Sequence, residues 1–177
     1  RDLPTLSAVN RSRCRIVLAA GASVNNQAAL VPTGIIIALI GLGNIGGLVA
    51  ALLAGIRSIG RVLICDFDKI EASNLGHQRG APSDVGRLKV DVHAKFLRRI
   101  APHLAIETFA LPIEALPLGL LRGCIILACV DSRVARQIIN RIARALGVPW
   151  IDAALDRGGQ VRARIYWPGD TDCIECS

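Results

Sequence analysis

Apolar residues fall along this chain in two alternating rhythms. Continuous apolar runs occupy residues 35–40, 62–65 and 124–130, and mainly apolar, strand-like stretches occupy 104–110 and 150–155. Such unbroken runs suit strands buried on both faces. Between them, apolar positions recur at helical spacing. A charge-free helical stretch follows Gly46. Val90, Ala94, Leu97 and Ala101 share one face of a helix that Asp84 is placed to cap and Pro102 to end. Val134, Ile138, Ile142 and Ala145 share a face of a third helix, opposite a row of arginines, with Asp131-Ser132 at its start and Gly147 at its end. Residues 160–167 alternate enough to form a further strand near an edge. Strand and helix in alternation predict an α/β fold of Rossmann-like type: a doubly wound, mostly parallel sheet with helices on both faces. Residues 1–33 carry only a strand-like run at 15–20 and a helical turn at 25–30, and read as an N-terminal arm. The remainder, 34–177, reads as one nucleotide-binding domain.

The stretch from Gly34 to Asp68 is the most informative. A strand runs into Gly41-Leu42-Gly43-Asn44-Ile45-Gly46, a helix follows, and a second strand ends in Asp66, 20 residues after Gly46. A nucleotide-binding βαβ unit places at that distance the acid that holds a ribose hydroxyl. Gly41 allows a tight turn, Gly43 lets backbone approach a phosphate, and Gly46 lets the helix pack on the strand. The phosphate then meets the free N–H groups at the positive end of the helix. The same stretch has a competing reading. Residues 34–56 carry no charge, are long enough to span a bilayer, and contain the Gly43/Gly47 spacing of packed membrane helices. The central glycines and the acidic end of the next strand favour the nucleotide reading.

Composition narrows the choice. The chain is 52% hydrophobic but only 3% aromatic, so its core is built from Ile, Leu, Val and Ala. A net charge of +7 attracts anions. The scattered arginines lack the aromatic neighbours of a single-strand stacking platform, which argues against nucleic acid. Cys65, Cys124 and Cys129 lie in strand-like runs and read as reduced, buried thiols. No targeting segment is visible, which points to the cytoplasm. The loop after Asp66 runs about 18 residues, the length of a functional connection.

Gly41 to Gly46, Asp66 and Asp131 each follow a strand's carboxyl end, so three signals converge on one crevice. More specific is the run Asp66-x-Asp68-x-Ile70-Glu71-x-Ser73-Asn74-Leu75-x-x-Gln78, then Asp84-Val85-Gly86-x-x-Lys89. With Asp131, Arg136, Asn140 and Gly147-Val148-Pro149, it resembles the ThiF/MoeB/HesA family, which includes the activating enzymes for ubiquitin-like proteins. The resemblance covers roughly 34–176. It implies an adenylyltransferase that uses Mg-ATP to activate the C-terminal carboxylate of a ubiquitin-like or sulfur-carrier protein or peptide, releasing pyrophosphate. It further implies that Asp66 binds ribose hydroxyls, that Asp68, Asn74 and Gln78 line the nucleotide site, that Lys89 meets the phosphates and that Asp131 holds Mg²⁺. A homodimer is implied as well. Where the family carries an arginine, in Asn-Leu-x-Arg-Gln, this chain has His77, and Arg79 stands two residues on as a substitute. Cys173-x-x-Cys176 resembles half of the family's structural zinc site, whose second pair is expected further along, in a C-terminal part of the family domain that this chain lacks. The transfer cysteine is likewise expected downstream. Two alternatives stay open: a non-catalytic nucleotide-binding subunit of a heterodimeric activating enzyme, and an NAD-dependent oxidoreductase. His93 and His103 read as surface residues.

Overall fold

A computed structural model describes residues 34–155 and 160–176. The expected N-terminal arm, 1–33, lies outside the described residues. Six strands form one sheet: β1 (Ile35–Ile40), β2 (Ile59–Cys65), β3 (Ala105–Phe109), β4 (Cys124–Ala128), β5 (Trp150–Leu155) and β6 (Val161–Tyr166). Their spatial order is β3-β2-β1-β4-β5-β6. All neighbours are parallel except β5 and β6, so the last strand forms an antiparallel edge. This is the strand order of a dinucleotide-binding sheet, in which the order of the strands reverses beside β1.

Three helices cover the sheet: α1 (Asn44–Leu53), α2 (Lys89–Ile100) and α3 (Arg133–Leu146). Period-2 alternation in β1 divides the core. Ile37 and Leu39 join Val62, Ile64, Val90 and Leu97 on the side of α1 and α2. Ala38 and Ile40 join Leu63, Ile126, Ile139 and Ala143 on the side of α3. Burial on both faces explains why β1, the second half of β2 and β4 read as unbroken apolar runs. It also disposes of the membrane reading. Residues 34–56 divide into a strand, a turn and a ten-residue helix, and no described helix is long and apolar enough to cross a membrane.

Two helices differ from their sequence patterns. α2 begins at Lys89, not near Val85, and Asp84 caps a different element. Its carboxylate accepts from the Ala81 N–H at 3.0 Å and pairs with Arg87, closing a 3₁₀ turn over Pro82–Asp84. Gly86, at φ +86°, prevents that turn from running on into the helix. In α3 the buried stripe is Ile139, Asn140 and Ala143, whereas Val134 stays 60% exposed. The first turn of α3 stands at the exposed end of the sheet, where residues 131–134 are all exposed. Ser132, as expected, caps it by accepting from the Ala135 N–H.

The long connection after β2 is pinned rather than loose. Ile70 is buried, its N–H donates to the Arg87 carbonyl at 2.8 Å, and its carbonyl accepts from Gly86. The segment from residue 67 to residue 88 is therefore a strap fastened at its base.

Candidate functional site

β1, β2 and β4 end level with one another: Ile40 pairs with Cys65 on one side and Ala128 on the other. The three following loops consequently open onto one edge, and a crevice of about 650 Å³ lies between them. Gly41 to Asn44, Asp66, Asp68, His77, Gln78, Lys89, Asp131 and Arg136 all contribute to that edge or its walls. A cavity of this size is in the range of small-molecule sites.

The glycine turn has distinct reasons at its three positions. Gly41 adopts φ +90°, and a Cβ there would stand 2.6 Å from the Cys129 carbonyl oxygen. A Cβ on Gly46 would overlap the Gly41 carbonyl. At Gly43, by contrast, a Cβ meets no protein atom within 4 Å. Nothing in the fold forbids a side chain there, so its absence leaves open the space above the first turn of α1. That turn has no side-chain cap and no acid. Its first internal bond is Gly47 N–H to Gly43 carbonyl, which leaves the N–H groups before it without helical acceptors and favours an anion.

Asp66 supports the turn from below. Its Oδ2 accepts from the Leu42 N–H at 2.6 Å and its Oδ1 from the Asp68 N–H at 2.8 Å. Burial pushes its carboxyl above the usual value, while the two backbone donors and Lys89 pull the other way. Each oxygen keeps a free lone pair towards the crevice.

Lys89, the first residue of α2, is only 6% exposed. A solvated surface lysine is thus ruled out. Its Nζ pairs with Asp68 at 2.9 Å, and its N–H donates to the Asp68 carbonyl. The strap is thereby tied to the helix at the crevice floor.

Asp131 is exposed at the crevice mouth, and its carboxylate has no hydrogen bond or ion pair among the described residues. The helix-cap role belongs to Ser132. Arg136 donates from Nε to Asp152 at 3.0 Å and from its terminal amine to the Val130 carbonyl at 2.6 Å, fixing the loop that carries Asp131. Asp152 is buried, and burial raises its carboxyl against the pull of Arg136.

On the strap, His77 and Gln78 line the crevice, and the Gln78 Oε1 is buried without a partner. Asn74 is not among the lining residues. Its side chain accepts from the Glu71 N–H at 3.0 Å, and its carbonyl accepts from Gln78 at 2.9 Å. Arg79 does not line the crevice either: its guanidinium lies over the Phe96 ring, 3.5 Å from the centroid. His93 departs further from the sequence reading. It is not at the surface but fully buried.

The sequence reading missed the apolar wall formed by Phe67, Leu111, Pro112 and Ile113. The last three stand just past β3, in the connection punctuated by Pro112 and Pro117. Their place after a strand next to Asp66 was the available signal. Cys129 also lines the crevice, but burial raises its thiol to about 11, and Cys65 is pushed up to about 12. Neither supplies a thiolate near neutral pH.

Away from the crevice, the Cys173 and Cys176 sulfurs are 3.1 Å apart, with Cys173 buried and Cys176 exposed. The five described cysteines are all free. Among the described residues no third metal-binding side chain joins the pair.

Comparison with known proteins agrees with this architecture. The model of the ThiF family matches residues 16–177. The ubiquitin-like modifier-activating enzyme 5 of Oryza sativa subsp. japonica is 28% identical over 159 residues, covering 80% of this chain and 37% of its own length. The enzyme of the same name from Xenopus laevis is 28% identical, with 80% and 39% covered. Among solved structures, E. coli MccB with ATP superimposes with a TM-score of 0.71 at 26% identity, over 81% of this chain and 44% of that one. The microcin C7 biosynthetic enzyme MccB in complex with N-formylated MccA gives a TM-score of 0.70 at 26% identity, over 81% and 43%. The chain spans well under half the length of these relatives. The family match covers nearly the whole of it, and the chain belongs to the ThiF family.

Proposed function

We propose that this chain is the nucleotide-binding part of an ATP-dependent adenylyltransferase, which activates the C-terminal carboxylate of a ubiquitin-like or sulfur-carrier protein or of a peptide. The observation that carries the reading is the crevice itself. It combines an uncapped helix N-terminus under open space at Gly43, a buried lysine and an unpartnered carboxylate. Anion donors, a fixed cation and a metal-binding acid are what phosphoryl chemistry on ATP requires.

In this reading Asp66 accepts the ribose hydroxyls while its backbone bonds keep it aimed. The N–H groups of the glycine turn and Lys89 face the phosphates. Asn74 acts at one remove, through the turn that presents His77 and Gln78. Asp131 holds Mg²⁺, which when bound spreads the charge of the β- and γ-phosphates. The substrate carboxylate attacks the α-phosphorus, a new C(O)O–P bond forms, and the bond to the β-phosphate oxygen breaks. Pyrophosphate leaves with that electron pair. No proton moves, because the carboxylate is already ionised near neutral pH. The enzyme therefore needs no general base. Cys173 and Cys176 provide half of a structural zinc site, the other ligands coming from outside the described residues. We extend the proposal to a homodimer and to a reducing compartment such as the cytoplasm, which suits five free thiols.

A test is pyrophosphate exchange into ATP, stimulated by carrier proteins or peptides with free C-terminal carboxylates. Lys89→Ala is expected to slow exchange by about 10²–10³-fold, the usual effect of removing one charge-stabilising donor. Exchange that is unaffected by Lys89→Ala would contradict its role.

One observation favours a second reading, a non-catalytic nucleotide-binding subunit. His77 stands where the family has arginine, and Arg79, the nearby substitute, is stacked on Phe96 instead of facing the crevice. A neutral imidazole offers a single donor in place of a guanidinium fork. The two readings separate on His77→Arg. A gain in exchange rate marks an active enzyme limited by this histidine; Mg-ATP binding without exchange in either form marks the non-catalytic subunit.

A further inference from the structure

His93 is fully shut from solvent, yet neither ring nitrogen has a hydrogen-bond partner. An unpartnered polar group in a core is unfavourable, and a leucine or valine would fill the same space without that cost. The ring occupies a particular place. It packs under the first turns of α1, where a Cβ on Gly47 would lie 3.0 Å from its Cε1 and 3.5 Å from its Nε2. One helical turn earlier on α2, four residues back and on the same buried face, is Lys89. The charged groups facing the ring are Arg79 and Lys89, and with burial they keep it neutral.

Gly47 needs an explanation as well. It sits inside α1, where alanine is the better helix former, and its φ is ordinary for a helix. His93 supplies the reason: a methyl group there would press on its ring at 3.0 Å, and the ring would have to give by a few tenths of an ångström. The two residues explain each other. One belongs to the helix whose N-terminus lines the crevice, the other to the helix that carries the crevice lysine.

We propose that His93 is a positioning residue. Its flat, rigid ring, seated against Gly47, acts as a spacer that sets the separation between Lys89 and the glycine turn, and thus between the cation and the N–H groups that face the phosphates. The inference rests on the nucleotide reading of the crevice given above.

The test is a double-mutant cycle on the full chain, read by calorimetric titration with Mg-ATP and by thermal unfolding. Gly47→Ala is expected to weaken Mg-ATP affinity about tenfold and to lower Tm, although it improves helix propensity. In a His93→Ala background the same change is expected to raise Tm and to leave affinity where His93→Ala alone put it. His93→Ala itself is expected to weaken affinity severalfold. Leu97→Ala, one turn further along α2 and in the same core, is expected to lower Tm without weakening affinity. The proposal is overturned if Gly47→Ala costs the same affinity with and without His93, or if Leu97→Ala weakens binding as much as His93→Ala does. Should His93→Ala not fold, wild-type affinity with a raised Tm in Gly47→Ala alone overturns it. Failure of the wild-type chain to bind Mg-ATP strikes the adenylation reading first, and is seen without any variant.

Discussion

Asp66 does two jobs with one carboxylate. It holds the Leu42 and Asp68 N–H groups and still faces the crevice. Asp66→Asn keeps the shape but turns an amide donor toward one of those N–H groups. Equilibrium unfolding should show a loss of about 1–3 kcal/mol, and nucleotide affinity should fall with it. His93 makes a separate prediction through pH. Its folded value is lowered to about 4, against 6.5 when unfolded. Above the unfolded value the ring is neutral in both states and stability does not respond. As pH falls below it, the unfolded chain takes up a proton that the folded chain refuses, so stability declines down to the folded value. Between about pH 7 and about pH 4.5, wild type should lose about 2 kcal/mol more than His93→Ala, measured by urea unfolding. The two residues also differ in legibility. Asp66 was readable because its distance from Gly46 is fixed by one local βαβ unit. His93 was not, because its burial depends on Gly47, which is 46 residues away in the chain and meets it only once the two helices pack.

Among the elements, the central strands β1, β2 and β4 were legible because burial on both faces leaves unbroken apolar runs, and β6 because it alternates. The errors lie where a side chain had two possible partners. Asp84 looked like a helix cap, but Gly86 turns the chain before the helix can begin, and Asp84 closes the shorter turn instead. Val134 matched the apolar spacing of α3, yet periodicity carries no information on where the sheet below that helix stops. The loop from β4 to α3 shows what such local geometry supports. Arg136 ties it to the buried Asp152 and to the Val130 carbonyl. Arg136→Ala removes the hydrogen-bonded partner of a buried carboxylate, leaving it only the charge of Arg164 across the strand pair, and leaves a carbonyl without its donor. Denaturant unfolding should show a loss of about 2–3 kcal/mol, together with weaker Mg²⁺-dependent nucleotide binding as Asp131 loses its support. An unchanged unfolding midpoint would mean that the loop is held in some other way.

At the scale of the whole molecule, the sheet places the crevice where the strand order reverses, and the carboxyl ends of β1, β2 and β4 are level there. That much is shared with dehydrogenases and does not by itself choose a nucleotide. The choice comes from what surrounds the turn. Lys89 is buried on the floor, the strap is tied to it through Asp68, and Asp131 is left unpaired at the mouth. A hydride-transfer enzyme would have no use for the roles proposed for Asp131 and Lys89, metal binding and phosphate contact. The most direct test is calorimetric titration of this chain with Mg-ATP and, separately, with NAD. The account predicts binding of Mg-ATP that is lost in Asp131→Ala and not matched by NAD. Tight binding of NAD with no response to Mg-ATP would contradict it, leaving the fold intact and the adenylation reading without support.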